Sequence, residues 1–307
     1  TERQEGPKCI REKVVVRSEY DMWVPLYAVK PKRLENTDEL PVVLFLCGSG
    51  PGKSDMVPDE TEEMHSRRND KKWPSPYAIA NRLGCIVICP DHRGWGELAE
   101  GNLNQQPGRV FSAGFNIVAM DVWDHYRVVD YAASRPDTNP NFIFSMGSSG
   151  GGYMTRFLFA ANDKVKGGII SSSPPLAEDI PDDFFFKTEP QTMPVIHPPS
   201  SMPIATAAMV QMGAPKPVWI MDGLWDRCAL PALPVTEKEK QLIFKKWHSD
   251  CNAARKIIEN TYKLVGARHC FKSSWFDGDH LAGYHYLNIR KWLLTYWPAA
   301  FKYKMEE

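Results

Sequence analysis

Short, unbroken apolar runs separate segments with helical periodicity along this chain, and this alternation strongly limits the folds open to it. Residues 42–47 and residues 85–89 contain no charged or hydroxyl side chain. A strand can be apolar along its whole length when both faces of its sheet are covered, as they are in a parallel sheet. The pattern therefore predicts an α/β fold with a mainly parallel sheet.

The same pattern predicts the other elements along the chain. It predicts eight strands, at residues 14–16, 23–29, 42–47, 85–89, 141–145, 166–171, 218–221 and 270–275. It predicts helices at residues 77–83, 115–133, 149–161 and 283–297. Strands that alternate with helices indicate one domain, here residues 1–307, with helices on both faces of an eight-stranded sheet.

The segment 173–217 interrupts this alternation. It is rich in proline and contains three consecutive phenylalanines, residues 184–186. It is too long for an ordinary connection between elements, and the phenylalanines need cover. We interpret it as an irregular cap or lid, inserted over the carboxyl edge of the sheet.

Composition excludes some classes of protein and leaves others open. Lys plus Arg and Asp plus Glu both number 37, so there is no basic excess for a nucleic-acid partner. No apolar run approaches the roughly 20 residues of a membrane span. No signal peptide opens the sequence, which slightly favours the cytoplasm, but a removed signal peptide and a homo-oligomer both stay open.

The seven cysteines do not form a pattern typical of a metal site. There is no Cys-x-x-Cys pair and no Cys/His cluster with zinc spacing, so no metal is predicted. A disulfide between Cys228 and Cys251 stays open at this level.

The motif with the clearest chemical meaning is Gly-x-Ser-x-Gly at residues 147–151, between a predicted strand and a predicted helix. A nucleophile at such a tight turn needs small residues two positions before and after it. Ser149 meets this requirement with Gly147 and Gly151, whereas Ser148 would have Met146 two positions before it. We therefore predict Ser149 as the nucleophile.

A serine hydroxyl is a weak nucleophile and needs a base, which in turn needs a carboxylate to orient it. In strand–turn–helix sites of this type the chain order is serine, acid, histidine. Asp226 follows the strand at 218–221, with Asp222 as a competitor that we rank second. His280 lies in a polar loop after the last strand, and His285 is the less suitable alternative.

An oxyanion hole needs donors fixed in advance. The backbone N–H of Gly150 is one candidate, and Ser49, in the loop after the first buried strand, is the other, ahead of Gly50. That loop ends in Gly-Lys-Ser but does not match a phosphate loop, because Cys47 stands at the first required glycine and Pro51 lacks an amide donor. No cofactor is predicted.

With these motifs the chain resembles the α/β-hydrolase superfamily, and within it the dienelactone hydrolase and acetyl xylan esterase-like members. The resemblance rests on residues 41–50, 77–97, 121–136, 147–151 and 258–266 and covers nearly the whole chain outside 176–213. It implies a Ser-Asp-His triad at Ser149, Asp226 and His280. Dienelactone hydrolases proper carry Cys as the nucleophile, and the deacetylases of this group carry Arg-Gly-Gln and His-Glu motifs that are Arg-Gly-Trp and His-Leu here.

The sequence therefore predicts a serine hydrolase that cleaves carboxylic esters of small molecules, with deacetylation of small or carbohydrate esters as one form. Trp225, Trp95 and Phe185 are predicted to line an apolar substrate pocket. A peptidase of the prolyl-oligopeptidase type is the alternative enzyme. A non-catalytic binding protein of the same fold and acyl transfer to an alcohol also stay open.

Overall fold

The computed structural model of the chain describes residues 2–48, 50–58, 74–99, 117–173, 206–230 and 235–305. Its strands are β1 Glu2–Glu5, β2 Cys9–Arg17, β3 Trp23–Pro31, β4 Leu40–Leu46, β5 Ile86–Pro90, β6 Thr138–Ser148, β7 Val165–Ser171, β8 Val218–Gly223 and β9 Phe271–Phe276. Its α-helices are α1 Lys53–Met56, α2 Pro76–Leu83, α3 Ile117–Ser134, α4 Gly150–Ala161, α5 Thr206–Met212, α6 Glu237–Leu264 and α7 Tyr286–Tyr296.

The strands form one sheet in the order β1-β2-β3-β5-β4-β6-β7-β8-β9. β1, β2 and β3 run antiparallel to their neighbours. The other six strands, β4 to β9, pair with one another in parallel. The mainly parallel α/β fold is thus confirmed, but the count of eight strands is wrong. The additional strand is β1, Glu2–Glu5. It is exposed and fully polar, so it has no apolar pattern, and backbone pairing to β2 holds it.

The central strands are apolar on both faces because helices cover both faces. Val43 and Phe45 belong to the core that contains residues of α2 and α7. Val42 and Leu44, one residue out of step, belong to the core that contains residues of α3 and α4. Side chains alternate between the two faces of a strand, so the unbroken run fills two cores at once.

Helix α6 was not predicted, although it is the longest in the described part of the chain. Its 28 residues are mostly polar, and a narrow stripe that includes Phe244, Cys251, Ile258 and Tyr262 is buried. Thr236 and Glu239 form a capping box at its start, in which each side chain accepts a hydrogen bond from the other's backbone N–H. This local signal marks the beginning of the helix more clearly than the composition does.

Most of the predicted cap, residues 174–205, lies outside the described residues. Its last part contains α5, which packs against α4 and α6, so Ala207 and Val210 belong to the core beside β7 and β8. All seven cysteines are free thiols, and the disulfide between Cys228 and Cys251 is not formed. Within the described ranges, no helix combines the length and the apolar character that crossing a membrane requires.

The sheet order creates a crevice at one edge. The chain passes from β4 to β5 on one side, and then crosses back so that β6 lies on the other side of β4. Loops that leave the carboxyl ends of β4 and β6 therefore diverge in opposite directions. Open α/β sheets bind ligands at such a switch point.

Candidate active site

Ser149 occupies the turn between β6 and α4, at the switch point. Its backbone has φ 56° and ψ −123°, which is unfavourable for a residue with a side chain. A Cβ on Gly147 would lie 2.3 Å from the carbonyl oxygen of Gly151, and a Cβ on Gly151 would lie 2.1 Å from that of Leu46. Both glycines are therefore required by close backbone packing, and the turn projects Ser149 at the edge of the sheet.

Helix α4 begins directly after this serine. The N–H groups of the first turn of a helix have no acceptor within the helix, and the helix dipole makes this end positive. Gly150 is the first residue of α4, and the carbonyl of Ser149 accepts from Tyr153 N–H at 3.0 Å. The turn therefore combines a hydroxyl group with backbone donors suited to a developing negative charge.

The structure brings Asp226 and His280 together. His280 Nδ1 lies 2.8 Å and 3.0 Å from the two carboxylate oxygens of Asp226. Asp226 is 1% exposed, so its carboxylate is shielded from water. The contact fixes the proton on Nδ1 and leaves Nε2 as the ring nitrogen that can accept a proton.

Burial opposes protonation of His280, but hydrogen bonds with Asp226 and with Cys228 outweigh it and raise the pKa of His280 to about 10. No pattern in the sequence indicates that Cys228 lies beside the histidine. It lies there because Asp226 caps the start of a short 3-10 helix, Arg227–Ala229, and accepts a hydrogen bond from Cys228 N–H at 2.9 Å.

Asp222, the competing acid, has a different partner. It is fully buried at the end of β8, and its carboxylate accepts a hydrogen bond of 2.6 Å from the guanidinium of Arg255 on α6. Burial raises the pKa of Asp222 against the effect of Arg255. Arg255 also stacks over Trp275, 3.9 Å from the ring centre, so this ion pair joins α6 to the sheet.

Backbone contacts bind the acid loop to the histidine loop. Leu224 N–H donates to Phe276 at 2.8 Å, and Trp225 N–H donates to Gly278 at 2.9 Å. The Asp279 carboxylate then accepts from the backbone N–H of Arg227 at 2.8 Å and of His280 at 2.7 Å. Sequence reasoning did not single out Asp279, yet it fixes the backbone beside both Asp226 and His280.

Ser172 connects the histidine loop to the serine turn, and it too was not predicted. Its hydroxyl accepts a hydrogen bond of 2.7 Å from Leu281 N–H. The preceding residue, Ser171, accepts from Ser149 N–H at 2.9 Å through its carbonyl oxygen. The end of β7 therefore contacts both the turn that holds Ser149 and the loop that holds His280.

A buried ion pair fixes the loop after β4. Lys53 and Asp91 have fully buried side chains, and their charged groups lie 2.6 Å apart. Asp91 also accepts from the backbone N–H of Lys53 at 2.7 Å and of Glu97 at 3.0 Å. The lysine of the Gly-Lys-Ser run is thus buried and paired with Asp91. This agrees with the prediction that the run is not a phosphate loop.

Cys47 begins the same loop, and its carbonyl oxygen lies 2.6 Å from His92 Nε2. A Cβ on Gly48 would lie 3.1 Å from the carbonyl oxygen of Ser148, so this loop and the serine turn are in contact. Ser49, predicted as an oxyanion donor, lies outside the described residues.

The predicted pocket residues fall in different places. Trp225 is 52% exposed, packs edge-on against Phe244 and donates to Asp277 at 3.0 Å. Trp95 is half-buried in the loop after β5, directly before a short 3-10 helix, Gly96–Leu98. Phe185 lies outside the described residues.

No protein-family model matches the chain. The curated protein "Putative hydrolase YtaP" of Bacillus subtilis (strain 168) is 31% identical over 142 residues, which are 46% of this chain and 46% of that protein. The match therefore spans less than half the length of this relative.

Solved structures share the fold over nearly the whole chain. A "putative acetyl xylan esterase" from Bacteroides fragilis NCTC 9343 has a TM-score of 0.65 at 13% identity, covering 90% of this chain and 69% of that one. A glucuronoyl esterase from Solibacter usitatus has a TM-score of 0.62 at 13% identity, covering 98% and 84%. An acylaminoacyl peptidase from Pyrococcus horikoshii has a TM-score of 0.55 at 15% identity, covering 98% and 43%.

The chain therefore has the α/β-hydrolase fold, as the resemblance predicted.

Proposed function

We propose that this protein is a serine hydrolase that cleaves carboxylic esters. The observation that carries the proposal is the hydrogen-bonded pair of His280 and Asp226, located on the same sheet edge as the strained turn that presents Ser149. The three residues follow β6, β8 and β9, in the order nucleophile, acid, base that this fold uses. The esterase names among the fold neighbours support the same reaction class.

In the proposed mechanism, Ser149 Oγ attacks the carbonyl carbon of the ester while His280 Nε2 takes the hydroxyl proton. Asp226 orients the ring and stabilises its positive charge. The N–H groups of Gly150 and Ser49 donate to the oxygen that becomes negative. His280 then protonates the departing alcohol, and a water molecule, activated by the same ring, releases the acid from Ser149.

Acetyl esters of small molecules or of carbohydrates are the first substrates to test. Acetyl groups match the esterase whose structure this chain resembles, and a small acyl group makes the least demand on the pocket. Trp225, Trp95 and Phe185 are proposed to contact the substrate.

The test compares the wild-type protein with Ser149→Ala on p-nitrophenyl acetate, butyrate and octanoate. Loss of the nucleophile is expected to lower kcat by about 10⁴-fold or more. Ser148→Ala is the matched control, because it removes a hydroxyl one residue away and is expected to retain turnover. The chain-length profile of the wild type measures the size of the acyl pocket.

Retained hydrolysis by Ser149→Ala would refute the assignment of the nucleophile. If the wild type cleaved none of the esters but cleaved acylated peptides, the peptidase alternative would replace the esterase. That alternative is supported by the peptidase among the fold neighbours, of which this chain covers less than half.

A further inference from the structure

Three side chains with metal-binding atoms meet beside the ends of β8 and β9. A carboxylate oxygen of Asp226, Sγ of Cys228 and a ring nitrogen of His280 all lie within 4.8 Å of one another. Asp226 is buried, His280 is half-buried and Cys228 is exposed. The group is therefore anchored in the protein on one side and open to solvent on the other, so that an ion can reach it.

The backbone around all three residues is fixed. Asp226 accepts a hydrogen bond of 2.9 Å from Cys228 N–H, which turns the cysteine back toward the aspartate. Asp279 accepts from the backbone N–H of Arg227 and of His280, so the two loops that supply the group are joined next to it. The three side chains meet without a rearrangement of either loop.

The set of donor atoms determines which ion it suits. A thiolate and an imidazole favour zinc over magnesium or calcium, which prefer oxygen ligands. Zinc sites with three protein ligands, including Cys and His, commonly keep the fourth position for water. Zinc–ligand bonds of about 2.0–2.3 Å place tetrahedral ligand atoms roughly 3.3–3.8 Å apart, within reach of small side-chain rotations here.

We propose that Asp226, Cys228 and His280 form a binding site for a single Zn²⁺ ion. On binding, the Cys228 thiol and the protonated His280 ring each release one proton to solvent. The thiolate sulfur and the freed ring nitrogen then bond to the ion, and Asp226 contributes a carboxylate oxygen. The ion then bonds both to His280, the proposed base, and to Asp226, the carboxylate that orients it. Reversible inhibition of ester hydrolysis by zinc follows, and this consequence rests on the proposed function.

The first experiment measures metal binding without reference to activity. Metal-free wild type, Cys228→Ser and Cys270→Ser are titrated with Zn²⁺ in competition with a chromogenic chelator, and with Co²⁺ as a spectroscopic probe. Cys270 is the matched control because it precedes β9, at the end of that strand away from His280. Wild type and Cys270→Ser are expected to bind one equivalent, with a sulfur-to-cobalt charge-transfer band.

Cys228→Ser is expected to lose that band and to bind zinc at least about tenfold more weakly, since loss of a direct ligand exceeds the effect of its outer partners. An unchanged affinity in Cys228→Ser, or no stoichiometric binding by wild type, would overturn the site. Circular dichroism and a second variant, Cys228→Ala, separate loss of the ligand from loss of the fold.

The second experiment separates the site from the proposed function. Ser149→Ala is expected to bind zinc as wild type does, because Ser149 is not a ligand. Zinc is expected to stop p-nitrophenyl acetate hydrolysis by wild type, a chelator to restore it, and Cys228→Ser to need at least about tenfold more zinc for the same inhibition.

Zinc binding that depends on Cys228, in a protein with no ester turnover, would support the site and refute the function. Zinc inhibition of equal strength in wild type and Cys228→Ser would overturn the site and leave the function intact.

Discussion

At the scale of single residues, the candidate site depends on backbone positions that admit few side chains. Ser149 adopts a positive φ, and the glycines two positions before and after it, Gly147 and Gly151, lie against backbone atoms. The hydroxyl group is therefore presented by a backbone that contacts β4 and α4 closely. The glycines were predictable because the steric requirement of the turn is local, whereas their contact with Leu46 depends on the pairing of β4 with β6.

Gly151→Ala is expected to destabilise the protein by about 1–3 kcal/mol or more, because the new methyl group would overlap the carbonyl oxygens of Leu46 and Cys47. Urea-induced unfolding measures the change in free energy. Gly50→Ala is the matched control, since a Cβ there meets no atom within 4 Å. Equal stability of the two variants would contradict the packing argument.

The pH dependence of hydrolysis reports on His280. The ring acts as a base only when it is neutral, and its hydrogen bonds with Asp226 and Cys228 raise its pKa. Below that pKa, kcat/KM is therefore expected to rise about tenfold per pH unit. Cys228→Ala removes one raising contact, so the rise should move to lower pH.

Cys270→Ala is the comparison variant for this pH series, because Cys270 lies away from the histidine loop and should leave the profile in place. A flat profile for the wild type between about pH 6 and pH 9 would show that His280 does not titrate as the base.

At the scale of elements, the site is formed by loops that follow strands, and polar contacts between the loops fix their positions. Asp279 joins the loops after β8 and β9, Ser172 joins the end of β7 to the histidine loop, and Asp91 joins the loop after β4 to the loop after β5. Their partners are far away in the sequence, so no local pattern marks them.

Asp91→Ala is expected to destabilise the protein by about 3 kcal/mol, because it leaves the Lys53 ammonium buried with Glu97 as its remaining carboxylate partner among the described contacts. Asp250→Ala breaks an exposed pair with Lys246 and should cost less than about 0.5 kcal/mol. Thermal or urea unfolding compares the two. Similar losses would show that burial of the Lys53 pair has no special weight.

At the scale of the whole molecule, one sheet with two covered faces organises everything else. The parallel strands β4 and β6 lie in the middle of the sheet, between the two cores. β1 is an exposed edge strand with a single neighbour. The stability against local opening should therefore differ strongly between the centre and this edge.

Amide hydrogen exchange tests this difference. The amides of β4 and β6 are expected to exchange only through global unfolding, and those of β1 through local fraying. Uniform protection across the sheet would mean that the edge strand is held by more than its pairing with β2.

The α/β class, the parallel character of the sheet and the turn around Ser149 follow from the amino-acid sequence alone, because each depends on local physics. Apolar runs show that a strand is covered on both faces, and glycine spacing shows where a backbone must turn tightly. The strand Glu2–Glu5 was not predicted, because an exposed edge strand that is held by backbone pairing needs no apolar residues. Helix α6 was not predicted, because its buried stripe is narrow and most of its residues are polar.

Which side chains meet depends on how the chain folds in three dimensions. Asp222 and Asp226 are the same type of residue and lie four positions apart in the sequence. The fold turns one toward Arg255 and the other toward His280. The fold also places Cys228 beside that histidine, since the loops after β8 and β9 are adjacent only once those strands pair. Contacts between distant segments arise from strand order, and no local pattern in the chain encodes it.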